Sequence, residues 1–306
     1  MTQQIRRVPR YEELTVRGLS HRLTWWGERT ETPIVLLHGF LDCGATWQFL
    51  ADELPDDWSL VAPDWRGFGH SAWAPGGYWF PDYLADLEVL LGFLSPDSPA
   101  RIVGHSMGAN VAQLYGGIRP ARLAWLANLE GLGLPRTAPQ EAPARYARWL
   151  DQLRQSPRVN RYASVAQLAE VLRLRNRRLT PERAEFIARA WTRPAARGTG
   201  ERAGEIELLF DPRHRLVNPI LYRRDEAEAS WARIQAPVLL CTGEESEYRS
   251  TQPEIASAEA WRAWIPNLRI VTLPGVGHMM HHEDAATLAR HIVEFDRDSL
   301  ATAERR

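Results

Sequence analysis

The chain has 306 residues, 44% of them hydrophobic and 25% charged, with a formal net charge of −1. That balance describes a globule able to bury a sizeable core and excludes a nucleic-acid or membrane surface driven by bulk charge. Met1-Thr2-Gln3-Gln4-Ile5-Arg6-Arg7 lacks an apolar signal core and no apolar run approaches spanning length, so the expected location is the cytoplasm.

Short apolar runs at 13–16, 22–26, 34–37, 59–62, 101–103 and 123–129 read as strands. Helical patterns at 45–54, 83–94 and 107–118 lie between them. Strands that are apolar throughout and alternate with helices predict a parallel sheet covered on both faces. After Glu130 the rhythm breaks into Arg- and Trp-rich helical stretches at 144–155, 165–173 and 181–191, with one strand-like piece at 205–210. Segment 192–204 reads as a mobile loop. Strands at 237–242 and 268–273 and a helix at 284–296 restore the alternation. The expected architecture is a doubly wound, mostly parallel eight-stranded α/β sheet built from 1–131 and 236–306. A mainly helical cap, 132–235, is inserted between its sixth and seventh strands.

The chain contains no lysine. Between Leu132 and Ala236 stand 20 arginines against 12 acids, a formal +8, and the remainder carries −9. This asymmetry reads mainly as solvated helix faces, with steering of an anionic substrate as the other possibility. Cys43 and Cys241 lie far apart without metal or redox spacing and read as buried free thiols.

The chemistry centres on Gly104-His105-Ser106-Met107-Gly108, which follows Ile102-Val103 and opens a helical stretch. Gly-x-Ser-x-Gly in a strand–turn–helix setting is the pattern of a nucleophile elbow, where flanking glycines allow close packing around a strained serine. Upstream, Leu36-Leu37-His38-Gly39-Phe40 ends a strand on a glycine. The Phe40 amide there, with that of Met107, would form a two-donor oxyanion hole. Asp64-Trp65-Arg66-Gly67-Phe68-Gly69-His70-Ser71 reads as an architectural loop with an Asp64–Arg66 ion pair. Gly275-Val276-Gly277-His278 follows the last strand, so His278 can serve as the proton shuttle to Ser106. His281 and His282 stand three and four residues after it without a third ligand at suitable spacing, so neither a metal nor another cofactor is expected.

Taken together, these motifs resemble the α/β-hydrolase fold family over nearly the whole chain, and within it capped serine hydrolases of the serine hydrolase-like type. The resemblance implies a triad acid after the seventh strand, about three residues past a glycine. In Cys241-Thr242-Gly243-Glu244-Glu245-Ser246-Glu247 that place holds Ser246, a departure that leaves Glu245 and Glu247 as candidates. The family's second acid position, known from one subfamily of haloalkane dehalogenases, closes the sixth strand. Glu130 stands there, 24 residues after Ser106. A glutamate ending a buried strand is costly unless paired, which points to His278 as its partner. Glu130 is the favoured acid, with Glu247 and Glu245 as alternatives.

The resulting expectation is cofactor-free acyl transfer from a small-molecule carboxylic ester, lactone or thioester, without nucleic acid or membrane as partner. C–C bond hydrolysis, lyase chemistry and perhydrolysis use the same triad, and a ligand-binding, non-catalytic member is the reading from another class. Serine rather than aspartate at the elbow argues against dehalogenase and epoxide hydrolase chemistry. Cap aromatics Tyr146, Trp149, Tyr162, Trp191, Tyr222 and Trp231, with Phe40 and Trp65, are expected to line an apolar acyl pocket.

Overall fold

The computed structural model describes residues 5–155, 157–195, 204–252 and 257–303. Strands β1 (Arg10–Val16) and β2 (Leu19–Trp26) pair antiparallel through a two-residue turn. Arg17 and Gly18 both have positive φ there, 49° and 81°, the mirror-image turn that matches strand twist. This hairpin is longer than the apolar runs suggested because β1 alternates exposed and covered residues at the sheet edge.

The interior strands follow a different rule. All residues of β3 (Ile34–Leu37), β4 (Leu60–Pro63) and, beyond the inserted segment, β10 (Val238–Gly243) are buried. Continuous apolar runs of this kind arise where helices cover both faces. With β5 (Ala100–His105), β6 (Leu123–Leu129) and β11 (Leu268–Leu273) they complete one eight-stranded sheet, ordered β1-β2-β4-β3-β5-β6-β10-β11. Pairings from β4 onward are parallel. The chain proceeds from β3 to β4 on one side and then crosses to β5 on the other. The order therefore reverses between β3 and β5, where open α/β sheets bind ligands beyond the carboxyl ends of their strands.

Two apolar cores flank the sheet. One lies under helices Phe80–Leu94 and Met107–Ile118, the other under the long helix Ala285–Ala303. Among the described residues, no helix is long and apolar enough to cross a membrane.

Between β6 and β10 the described residues add no strand to the main sheet. They form helices Ala142–Leu153, Val165–Arg175 and Pro181–Ala190 and a small three-stranded antiparallel sheet. Its strands are β7 (Arg161–Tyr162), β8 (Thr192–Pro194) and β9 (Ile206–Leu208). Ser164 and Thr180 start two of these helices by accepting amides from Gln167 and Arg183. Of the segment read as a mobile loop, 192–194 is strand β8 and 196–203 lies outside the described residues.

The helix Arg224–Trp231, which the sequence boundary at 235 assigns to the insertion, packs on helix Met107–Ile118. Its Trp231 stacks on Trp261 with centroids 5.1 Å apart, so this helix belongs to the core layer. The approach of the two helices depends on Gly117, where an added Cβ would collide with the Ser230 carbonyl. Gly117→Ala should therefore destabilise the protein by about 1–3 kcal/mol. Urea unfolding reads this directly, and an unchanged midpoint would show that the helices do not depend on this contact.

Candidate active site

The reversal between β3 and β5 brings two turns together. At the end of β5, Ser106 has φ 49° and ψ −112°, a strained conformation for a residue with a side chain. It is held by its own amide, which donates to the Leu129 carbonyl at 2.9 Å, and by packing that admits only glycine on either side. A Cβ on Gly104 would lie 2.7 Å from Ala109 Cα, and one on Gly108 would strike the Leu37 carbonyl. At the end of β3, a Cβ on Gly39 would lie 2.7 Å from His105 Nδ1 and 3.2 Å from Ser106 Cβ. Gly39 thus lets the Phe40 turn approach the serine. Met107 supplies the first amide of its helix, which has no acceptor one turn back.

The Phe40 turn is fixed from behind by a clasp the sequence did not disclose. The Trp65 amide donates to His38 Nε2 at 2.9 Å, and Trp65 Nε1 donates to the His38 carbonyl at 3.1 Å. His38 Nδ1 then donates to the Gly39 carbonyl at 2.8 Å, which fixes a neutral imidazole. Burial lowers the pKa of His38 to match. Trp65 is fully buried and does not line the cleft beside Phe40 and Met107, so its expected place in substrate binding is corrected to this clasp. The expected Asp64–Arg66 pair is corrected as well. Arg66 instead makes a two-pronged contact with Asp86, both hydrogen bonds 2.5 Å long. Asp64 accepts the Gly44 and His70 amides at 2.6 and 2.8 Å.

Glu130 leaves β6 with a positive φ of 51° and turns its carboxylate inward, nearly fully buried. Oε1 accepts the Gly243 amide at 2.7 Å. Oε2 accepts the Ser246 hydroxyl at 2.7 Å and faces His278 Nδ1 at 2.8 Å. Ser246, standing where the family resemblance places an acid, is here a donor to Glu130 from the neighbouring strand. The alternatives lie elsewhere: Glu245 pairs with Arg178, and Glu247 is exposed at the start of a short helix. His278 and Ser106 are both half-buried, and among the described residues no hydrogen bond joins them.

His105, the variable residue of the elbow motif, is a further brace. Its Nε2 donates to the His278 carbonyl at 3.0 Å, tying the elbow to the His278 loop. Burial, with His281 and His278 nearby, holds its pKa well below the usual range. Asp42 supplies the third ligand-type side chain that sequence spacing did not show beside His281 and His282. Its Oδ2 lies 3.2 Å from His281 Nε2 and 3.5 Å from His282 Nε2. Burial pushes the Asp42 carboxyl up, but His282 and His281 outweigh it and hold the group well below the usual carboxylate range.

A cleft of about 320 Å³ opens beside Phe40 and Met107, lined also by Tyr78, Tyr83, Trp149 and His214. His214 is stacked between Phe68 and Tyr78, at 3.9 and 3.6 Å between centroids. A larger hollow, about 490 Å³, lies against the outer strands around Tyr11, Thr24 and Phe186 and touches neither turn. The smaller cleft is the candidate substrate site because it reaches the two turns. Of the expected pocket aromatics, Phe40 and Trp149 line it, whereas Tyr146 is exposed outside it. Tyr162 and Trp191 line a separate cavity near Asp42, and Trp231 is buried against Trp261.

The sequence profile of the alpha/beta hydrolase fold matches residues 32–285, and the chain belongs to that family. It is a hydrolase. A serine hydrolase-like protein from Danio rerio is 25% identical over 278 residues, covering 88% of this chain and 83% of that one. The thioesterase domain from the curacin biosynthetic pathway superposes with a TM-score of 0.79 at 27% identity, covering 94% of this chain and 99% of that one. A hypothetical protein from Pseudomonas aeruginosa PAO1 gives a TM-score of 0.82 at 26% identity, with the same coverage of 94% and 99%.

The buried histidines set a pH response. Burial is the largest cause lowering the pKa of His38, of His105, and of His214 and His281, the last two to about 3. In the unfolded chain each takes up a proton below its ordinary value of 6.5, while the folded chain resists it. Their contribution is therefore fully present above pH 6.5 and is lost as pH falls below it, for His214 and His281 down toward 3. His214 and His281 should each withdraw about 2 kcal/mol of stability between about pH 7 and pH 5. Urea unfolding at the two pH values checks this. Equal stabilities would refute it, and His214→Gln should recover about 2 kcal/mol of the loss.

Proposed function

We propose that this protein is a serine hydrolase cleaving a carboxylic ester, lactone or thioester of a small molecule through an acyl-enzyme. The observation that carries the reading is the 2.8 Å contact between His278 Nδ1 and the buried Glu130 carboxylate. With Nδ1–H donated to Glu130, the lone pair of Nε2 is the one left to act as a base.

In the proposed cycle, Nε2 takes the Ser106 hydroxyl proton as Oγ attacks the substrate carbonyl carbon. The Phe40 and Met107 amides hold the oxyanion, and Glu130 stabilises the imidazolium. Collapse expels the alcohol or thiol, which receives the proton from Nε2. Water then repeats the sequence: Nε2 removes its proton, the acyl–Oγ bond breaks, and Ser106 regains its hydrogen as the acid leaves. The Ser106–His278 contact is one that substrate binding tightens, as is common for catalytic hydrogen bonds. The inserted segment acts as a cap, since Trp149 and His214 close the cleft over Phe40 and Met107. The likeness to a thioesterase domain supports including thioesters in the substrate class.

A panel of short- and medium-chain esters and thioesters tests the reading. Wild type should turn over at least one class, and Ser106→Ala should lose about 10⁴-fold or more in kcat. Glu130→Gln should lose about 10²–10⁴-fold, because the wrong tautomer is then favoured. Near-normal activity in Glu130→Gln would remove it from the mechanism. Ser246→Ala, which takes one donor from the carboxylate, should cost roughly tenfold in kcat with little change in KM.

A further inference from the structure

The cluster of Asp42, His281 and His282 takes no part in the proposed cycle, yet it lies between the two loops that carry Phe40 and His278. We propose that these three side chains bind one divalent transition-metal ion of the zinc class, which ties the Phe40 turn to the His278 loop.

The three side chains are 1%, 0% and 2% exposed, so solvent satisfies none of them. Both imidazole Nε2 atoms point at one carboxylate oxygen, Asp42 Oδ2, from 3.2 and 3.5 Å. A tetrahedral ion with bonds of about 2.0–2.1 Å spaces its ligand atoms about 3.3–3.4 Å apart, between those two distances. All three donor atoms lie within 4.8 Å of one another. His282 Nε2 is buried without a hydrogen-bond partner, an unusual state for a buried imidazole nitrogen and the expected one for a ligand atom.

The carboxylate is held in place for this task. Asp42 Oδ1 accepts from the Cys43 amide at 2.8 Å, Thr46 Oγ1 at 2.7 Å and Trp191 Nε1 at 2.8 Å. Those three donors orient the group and leave Oδ2 to the imidazoles, as outer-shell partners of metal ligands do. Two imidazoles and one carboxylate select zinc, cobalt, nickel or iron over magnesium or calcium, and three protein ligands leave a position for a small non-protein ligand. Asp42 stands two residues after Phe40, and His281 three after His278. An ion here would couple the loops independently of whichever acyl group the cleft receives.

The test uses the full chain purified without a polyhistidine tag, with metal counted by mass spectrometry after incubation with Zn²⁺ and dialysis. About one zinc per chain is expected, with a melting temperature that falls in chelator and recovers with Zn²⁺. Co²⁺ in its place should show the visible bands of a tetrahedral site. Asp42→Asn and His282→Gln should each weaken Zn²⁺ binding by about tenfold or more. His70→Gln, outside the cluster, should not. A folded wild type that retains no Zn²⁺ or Co²⁺, with a melting temperature indifferent to both, overturns the proposal. So does binding undiminished in both cluster variants. Should the variants fail to fold, metal content and the chelator response of the wild type decide the matter.

Discussion

A carboxylate buried at the mouth of a parallel sheet must be met by donors from several strands at once. Glu130 is met by three: the Gly243 amide and the Ser246 hydroxyl from the end of β10, and His278 from the loop after β11. None of these contacts is local, since the nearest donor lies 113 residues away in sequence. The geometry of the proposed acid therefore exists only when β6, β10 and β11 are in register. Val238 beside Leu126 and Leu268 sets that register at the opposite end of the same strands. The positive φ at Glu130 is tolerated because these bonds over-determine its position.

The remaining loops are braced in a similar manner, by imidazoles kept neutral through burial. His38 joins the Phe40 turn to the loop after β4, and His105 joins the elbow to the His278 loop. Each places a directed donor or acceptor where a charged side chain would carry a desolvation cost. The proposed oxyanion donors and the proposed base are thus held by the backbone of neighbouring loops. Such support suits a site that must preserve sub-ångström geometry around a strained serine.

Much of this was legible in the sequence because it rests on local rules. Gly104 and Gly108 mark the elbow and continuous apolar runs mark the buried strands, while Glu130 stood out through the family resemblance, which places a second acid position at the end of the sixth strand. The parts that were not legible depend on side chains from distant segments meeting in the interior. Trp65 looked like a pocket aromatic, since nothing local shows that its indole faces the His38 carbonyl. Arg66 has an acid two residues before it, yet its partner Asp86 arrives from a helix 20 residues on. Asp42 and the His281–His282 pair are 239 residues apart, beyond any spacing rule for metal ligands. The hairpin was shortened by a strand whose outer face is wet, where apolar runs carry no signal.

Four arginines of the inserted segment are engaged in structural contacts. Arg183 donates to the carbonyls of His282 and Glu283, each at 2.8 Å, and Arg178 reaches Glu245 and the Gly275 carbonyl. Both tie the insertion to the loop region around His278. Arg193 meets Glu207 at 2.8 Å, within the small sheet. Arg213 is the cation that lines the candidate cleft, and it pairs with Asp211, which also accepts from Tyr78 at 2.7 Å. A cleft whose arginine is already matched by a carboxylate offers an anion little net attraction, because the pair's fields oppose one another. Its walls are otherwise aromatic and neutral: Phe40, Tyr78, Trp149 and a stacked His214 held uncharged by burial. Within the proposed function, that lining favours an uncharged acyl group over an anionic one.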